Sequence, residues 1–367
     1  MFIEIHFIQN FAPSNLNRDD TNNPKDCEFG GVRRARISSQ CIKRAIRLDA
    51  HFEQYTGVPA SQRTVRIIDA LVKELGAAGN GAEEARQMAE EFAKNYSSKK
   101  GALDKKEKNK TNVLLFLSRL EIGEIVENLL KIGNQPAEIK KYAEDFAKGN
   151  KERPGAPDIA LFGRMLADRP ETNVDAACQV AHAISTHSVN MDLDFFTAVD
   201  DLLPAGETGA GMMGVTGFNS ACFYRYACID YGQLLTNLNG DAKMARSTVE
   251  AFLHAAVHAV PTGKQNSFAA QNPPSFLLAV VREDGQCWSL ANAFEKPVYA
   301  GGRKGLVQAS VEALDAYWKK LTAFYGGSTI PVVACLDGEE ALDSLKDAQV
   351  ASLDRWAEVV LSALPQE

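Results

Sequence analysis

Strand-like alternation opens this chain, helical periodicity then dominates residues 60 to 180, and strand-like segments return only near residue 221. That order constrains the fold more than any single motif. In "MFIEIHFIQNF", Ile3, Ile5 and Phe7 alternate with Glu4, His6 and Ile8, the period of a half-buried strand. Its polar residues exclude a signal peptide. "APSNLNRDDTNNPKD" follows, rich in Asn, Asp and Pro, and reads as a loop. "RISSQCIKRAIRLDAHF" reads as a helix with Ser38 or Ser39 as N-cap.

The middle block carries apolar residues at helical spacing in "TVRIIDALVKELG", "AEEARQMAEEFAKNY", "NVLLFLSRLEIGEIVENLL" and "AEIKKYAEDFAKG", with the Lys-rich "SSKKGALDKKEKNK" between them. Strands then fit "ACFYRYACIDY", "SFLLAVVRE" and "TIPVVACLD". Helices fit "DAKMARSTVEAFLHAAVHAV", "LVQASVEALDAYWKKLTAFYG" and the end of the chain from about Glu339. The mixed order predicts an α+β protein of ferredoxin-like type, interrupted by a helical insertion.

Charge is distributed unevenly. The net charge is −7, yet from Phe29 to Leu48 there are six Lys or Arg and no Asp or Glu. At about 100° per residue, Gln40, Lys43, Arg44 and Arg47 form one stripe of a helix, with Ile42, Ala45 and Ile46 opposite. The helix start offers Ser38, Ser39 and backbone N–H groups to an anion. Arg18 and Lys25, on the preceding loop, are placed to close around the same phosphate chain. A solvated basic face is the alternative; the absence of acids favours contact with a nucleic-acid backbone.

Other motifs lack their context. "GAGMMG", Gly209 to Gly214, matches a dinucleotide-binding pattern but has neither the strand before nor the helix after it, and reads as a long flexible loop. His254 and His258 have the spacing of a zinc pair without the glutamate of H-E-x-x-H; His182 and His187 are no better. Asp200 and Asp201 are adjacent and point apart. Phe195 and Phe196 stack on bases if exposed and are core if buried; their spacing favours core. Seven cysteines, scattered and without a C-x-x-C pair, argue against a disulfide framework and a zinc ribbon and fit a reducing cytoplasm. No apolar run reaches the length of a membrane span. No metal or cofactor is expected.

Six stretches carry a resemblance when taken in order: "NLNRDDTNNPKDCEFGGVRRARISSQCIKRAIR", "DIALFGRM" (158 to 165), "VAHAISTHSV" (180 to 189), "DFFTAVDDL" (194 to 202), "FYRYACID" (223 to 230) and "ANAFEK" (291 to 296). Together they closely resemble the CasC-type backbone subunit of Cascade, the type I-E CRISPR surveillance complex, over about four fifths of the chain. The resemblance implies a ferredoxin-like (RRM-like) palm at 1–58, 181–193 and 221–367, a helical fingers insertion at 59–180, and a thumb loop at 194–220. It implies a non-catalytic protein whose copies stack along crRNA, hold its phosphates and leave bases free for the target DNA strand, beside other Cascade subunits.

In that family the positions matching Arg18, Lys25, Ser38, Gln40, Lys43, Arg44 and Arg47 line the crRNA groove, and Lys264 matches a further basic contact. Met165 matches an apolar wedge. Phe195, Phe196 and Val199 match the thumb, with Phe195 replacing a more usual Trp. Arg66 stands where His is expected. The region 75–155 is least recognisable, and its lysines either meet target DNA or are solvated. The rival class is an endoribonuclease on the same sheet, with His6 or His187 as base or Asp19, Asp20 or Asp26 in the basic loop. A metal hydrolase using His254 and His258 is a third.

Overall fold

Alternating branched and aromatic residues make the first strand, and the rest of the main sheet forms around it. The computed structural model describes all residues except 99–102, 105, 106, 108, 150–154, 200–209, 327, 328, 366 and 367, and not the side chains of Val199, Ala210 and Gly211. In chain order the strands are β1 (Phe2–Ser14), β2 (Asp26–Phe29), β3 (Val32–Ile37), β4 (Gln62–Thr64), β5 (Leu115–Leu117), β6 (Cys178–Val180), β7 (Ala183–Ser185), β8 (Asp192–Val199), β9 (Ala210–Asp230), β10 (Phe276–Arg282), β11 (Thr329–Cys335) and β12 (Gln349–Val350). The helices are α1 (Ser39–Arg47), α2 (Ala50–Thr56), α3 (Ile67–Ala77), α4 (Ala82–Ser97), α5 (Arg119–Ile132), α6 (Pro136–Lys148), α7 (Pro157–Phe162), α8 (Tyr231–Asn237), α9 (Ala242–His258), α10 (Gln265–Phe268), α11 (Leu306–Tyr325) and α12 (Leu353–Ser362).

This is an α+β protein whose chain divides into two compact units. The first, Met1–Asp49 with Gln179–Ile229 and Phe252–Gln366, holds a mixed sheet ordered β12-β11-β10-β1-β9-β7-β3-β2, with β8 and β6 paired to β9. β1 runs antiparallel to β10 with Glu4 opposite Val280 and His6 opposite Leu278; β11 is antiparallel to β10 and parallel to β12.

β1 was expected to be half-buried, yet Ile3 to Gln9 are buried on both faces. The reason is that both faces of the sheet are covered. On one, Ile8, Tyr224 and Leu278 pack against Val311, Leu314 and Trp318 of α11. On the other, Ile5 and Phe7 meet Ile42 and Ile46 of α1 and Phe252 of α9, and Trp356 of α12 donates to the Val332 carbonyl at 3.0 Å. The polar residues that burial traps are paired: Glu4 with Arg282 at 3.0 Å, and His6 Nδ1 with the Tyr224 hydroxyl at 2.9 Å.

β2 and β3 form a hairpin that the sequence reading did not expect. Its two-residue turn is Gly30–Gly31, both at positive φ (63° and 73°), the backbone that a primed turn demands. A Cβ on Gly30 would also collide with the Glu295 carbonyl.

The second unit, Ala50–Cys178 with Asp230–Ala251, is built mainly on helices. Ile68, Leu71, Met88, Phe92, Ile125 and Phe146 belong to its core. The helix expected to run through "NVLLFLSRLEIGEIVENLL" starts late. Leu115–Leu117 instead pairs with Gln62–Thr64, and Ser118 caps α5 in a reciprocal box with Glu121 (3.0 and 2.7 Å). The C-terminal helix likewise starts at Leu353, not near Glu339, after two short 3-10 turns and β12.

Candidate nucleic-acid interface

The basic run divides at Ser38. Upstream, on β3, its arginines all bond to groups of the protein itself, Arg34 in the interior and Arg33 at the surface. Arg33 pairs with Asp26. Arg34 is fully buried, and its guanidinium donates to the carbonyls of Phe29 (3.1 Å), Ser185 (3.2 Å), Phe294 (2.7 Å) and Glu295 (3.2 Å). Arg36 donates to the Asp26 carbonyl at 3.1 Å. Downstream, on α1, Gln40 and Arg44 are exposed, Lys43 and Arg47 are half-buried, and Ile42 and Ile46 are buried on the opposite side. The polar stripe and the apolar face read from the helical wheel are therefore present.

The helix end is not the open anion site that the sequence suggested. Ser38 is buried, and its hydroxyl accepts from the Cys41 N–H at 3.3 Å. Its own N–H donates to Asn17 Oδ1 at 2.8 Å. The Ser39 N–H donates to His182 Nδ1 at 3.3 Å. Three donors near the helix start thus already have protein acceptors. His182 carries no metal-pair context, and no local signal in the sequence connects it to a helix start 143 residues away. Because Nδ1 accepts a hydrogen bond, this imidazole is neutral with its proton on Nε2. Desolvation, with Arg36 and Lys25 nearby, holds it below the ordinary histidine value.

A cleft of about 360 Å³ lies beside α1, lined by Asn17, Arg18, Asp19, Arg44, Thr262 and Gly263 among others, so that two arginines share it with one carboxylate. Three separate segments meet here. Asn15, fully buried, staples the loop by donating to the carbonyls of Asn22 (2.9 Å) and Gly217 (2.8 Å). Gly263 lies so close to Leu16 that a Cβ would collide with the Leu16 carbonyl. That approach carries Lys264, at φ 51°, to the same region. Lys25 lines an adjoining crevice with Asn17 and Arg36. Among the described residues, Arg18, Lys25, Arg44 and Lys264 form no ion pair. Cations not held in internal ion pairs suit a phosphate chain, and the one carboxylate beside them, Asp19, is itself bonded to Thr21 and Asn23.

The 194–220 stretch, expected to be a loop, is in its described residues an antiparallel ribbon of β8 against β9. Ala210–Gly214 of the glycine motif belongs to β9; Gly209, Asp200 and Asp201 lie outside the described residues. Phe195 (64% exposed) and Phe196 (39%) are not core, contrary to the spacing argument. Among the described residues every side chain from Asp192 to Ala198 is exposed, so alternation along β8 separates no inside from an outside. Leu193, Met212, Met213 and Val215 are exposed as well, and Phe196 lies opposite Gly214, against the space a Cβ would fill. The backbone of Val199 ends β8; its side chain is outside the described set.

The second unit carries two more of the candidate residues. Met165 is 82% exposed between two anchored neighbours. Arg164 is buried and bonded to Glu121 (2.8 Å) and the Thr172 carbonyl (2.9 Å), while the Leu166 N–H donates to Asn173 (2.8 Å). Arg66 is exposed but engaged with Asp69 (3.4 Å) and Glu107 (3.6 Å).

The family model of CT1975-like proteins matches residues 3–360, nearly the whole chain. The chain belongs to the CT1975-like family. It is 34% identical to a chain of a "CRISPR RNA-guided surveillance complex, pre-nicking", with a TM-score of 0.88 and coverage of 99% of this chain and 100% of that one. A second similar chain, from a "CRISPR RNA-guided surveillance complex", has 28% identity and a TM-score of 0.76 over 99% and 100%. No curated protein matches the sequence.

In this CT1975-like chain most residues of the rival readings have partners within the protein, while Asp20 is exposed. His6 is buried, its proton affinity lowered to a pKa of about 3 by burial and by Arg282. His187 Nε2 accepts from the Cys222 N–H at 3.1 Å. Asp19 accepts from the Thr21 N–H and hydroxyl and the Asn23 N–H, at 2.8 to 3.0 Å, and these bonds, led by Thr21, hold its carboxyl below the usual range. Asp26 pairs with Arg33. His254 is buried, and its carbonyl lies 2.8 Å from His258 Nδ1. Among the described residues no group of three or more His, Cys, Asp or Glu could hold a metal ion, and no helix is long and apolar enough to cross a membrane.

Proposed function

We propose that this CT1975-like protein is a non-catalytic, crRNA-binding backbone subunit of a cytoplasmic CRISPR surveillance complex of the Cascade type, subtype I-E. The observation that carries the reading is the cleft where Arg18 and Arg44, neither in an ion pair among the described residues, meet the Pro261–Gly263 segment that leads into Lys264. Likeness along the whole chain to members of RNA-guided surveillance complexes supports it. In this reading the first unit is a ferredoxin-like palm and the second the fingers. The ribbon is a thumb whose Phe195 and Phe196 meet splayed bases. Several copies stack along one guide and present its bases to target DNA, with other Cascade subunits at the ends. A surface that meets a different surface of the next copy builds a filament rather than a closed dimer.

The test is binding of labelled single-stranded RNAs of several sequences across a salt series, with the RNA then run on a denaturing gel. Sequence-tolerant, salt-sensitive binding to intact RNA, growing in steps with RNA length and lost in Lys43→Glu/Arg44→Glu, is the expected result. Shortened RNA would instead establish a ribonuclease. Binding indifferent to the double substitution would make the α1 stripe a solvated face and sink this reading.

A further inference from the structure

We propose that Cys228 and Cys287 constitute an oxidation site, a thiol pair that closes to a reversible intramolecular disulfide when it meets a small disulfide such as oxidised glutathione. The two sulfurs lie 3.3 Å apart although the residues are 59 apart in sequence. Closing to the roughly 2.05 Å of a disulfide takes a shift of about one ångström, within the reach of side-chain rotation.

Both partners are held in place. Cys228 is 5% exposed near the end of β9, in the sheet. Cys287 precedes Trp288, whose backbone N–H donates to the Glu4 carboxylate on β1. Glu4 is in turn bound to Arg282 at 3.0 Å, and the Arg282 guanidinium lies 4.2 Å from the Trp288 ring centroid. The segment that carries Cys287 is therefore fastened to the sheet on the side where Cys228 lies. The pair is not an accidental meeting of two loops. Accessibility is asymmetric: Cys287 is half-buried and open to a small oxidant, whereas Cys228 is shielded. By contrast, Cys222 faces the Ser310 hydroxyl at 3.7 Å, and Cys335 the Asp337 carbonyl at 3.8 Å.

The asymmetry sets the order of bond changes. The Cys287 thiolate attacks one sulfur of oxidised glutathione, breaks its S–S bond and expels one glutathione thiolate. The Cys228 thiolate then attacks the Cys287 sulfur of the mixed disulfide and expels the second. The two protein thiols are oxidised, one glutathione disulfide is reduced to two thiols, and the two protons pass to the departing glutathiones. Burial raises the Cys287 thiol above its ordinary value, so the reaction accelerates with pH. In a reducing cytoplasm the pair rests as thiols.

The experiment treats the folded, full-length protein with excess oxidised glutathione at neutral and mildly alkaline pH. Remaining thiols are alkylated before digestion, and the peptides are mapped with and without reductant. The expected result is a peptide linking Cys228 to Cys287, lighter by two hydrogens than the reduced pair, released by reductant and formed faster at the higher pH. The oxidised protein should also melt at a higher temperature than the reduced one, because the link restricts the unfolded chain. Cys228→Ser should stop the reaction at a glutathione adduct on Cys287, and Cys287→Ser should abolish the link. A wild-type protein that accumulates the Cys287 adduct without the link, or keeps both thiols while circular dichroism shows it folded, would overturn the proposal. The wild-type map decides the matter even if a variant fails to fold. It is also independent of RNA binding.

Discussion

The arginines of β3 and the cations of α1 are neighbours in one uninterrupted basic run, yet they have opposite uses. Arg33, Arg34 and Arg36 spend their charge on Asp26 and on backbone carbonyls. Arg44, a few residues on, is exposed on a stripe whose other side is buried in the core. Charge density along a sequence therefore does not measure charge offered to a partner. What decides is whether folding sets acceptors beside the side chain, as the paired strands do for Arg33, Arg34 and Arg36, or leaves its face of a helix to solvent.

The sharpest way to break this comparison is Arg34→Ala. Four carbonyls, two of them buried, would lose a charged donor and a cavity would open, so stability should fall by about 3 kcal/mol in thermal or urea unfolding. RNA affinity per folded molecule should change little. Next in size is Lys43→Glu/Arg44→Glu. It should leave the melting temperature nearly unchanged while lowering RNA affinity at least tenfold and flattening the salt dependence in gel-shift titrations. If the two variants swapped phenotypes, the division of the run at Ser38 would be wrong.

Acid sensitivity should come partly from His6. Its folded pKa, about 3, lies far below its unfolded value of roughly 6.5. Below that unfolded value the unfolded chain binds a proton that the folded one refuses. Stability present above pH of about 6.5 is lost as pH falls toward 3. His6→Gln should make unfolding midpoints less dependent on pH over that window, whatever its effect at neutral pH. The smallest effect is expected from Ser38→Ala, about 1 kcal/mol from the lost cap of α1. A much larger fall in RNA affinity with unchanged stability would show that the hydroxyl meets phosphate rather than only the Cys41 N–H.

Much of the secondary structure was legible because it is local. The apolar spacing in "TVRIIDALVKELG" and "AEEARQMAEEFAKNY" and the amphipathic stripe of α1 depend only on side chains within a turn or two of one another. Boundaries failed where a distant partner intervened. Leu115–Leu117 pairs with Gln62–Thr64 instead of joining α5. β1 is buried on both faces because helices far along the chain cover each side.

The candidate site shows the same division. Sequence by itself determined that α1 is cationic on one side and that Ser38 or Ser39 starts it, since each follows from short-range geometry. Only the tertiary structure decided the rest. It buried Arg34 among carbonyls, set His182 on the helix start, left Phe195 and Phe196 exposed on a ribbon, and brought Cys228 to Cys287. It also carried Gly263 against Leu16 and closed the basic cleft. These outcomes depend on which segments meet across hundreds of residues, and the energy of such contacts is written in neither segment alone.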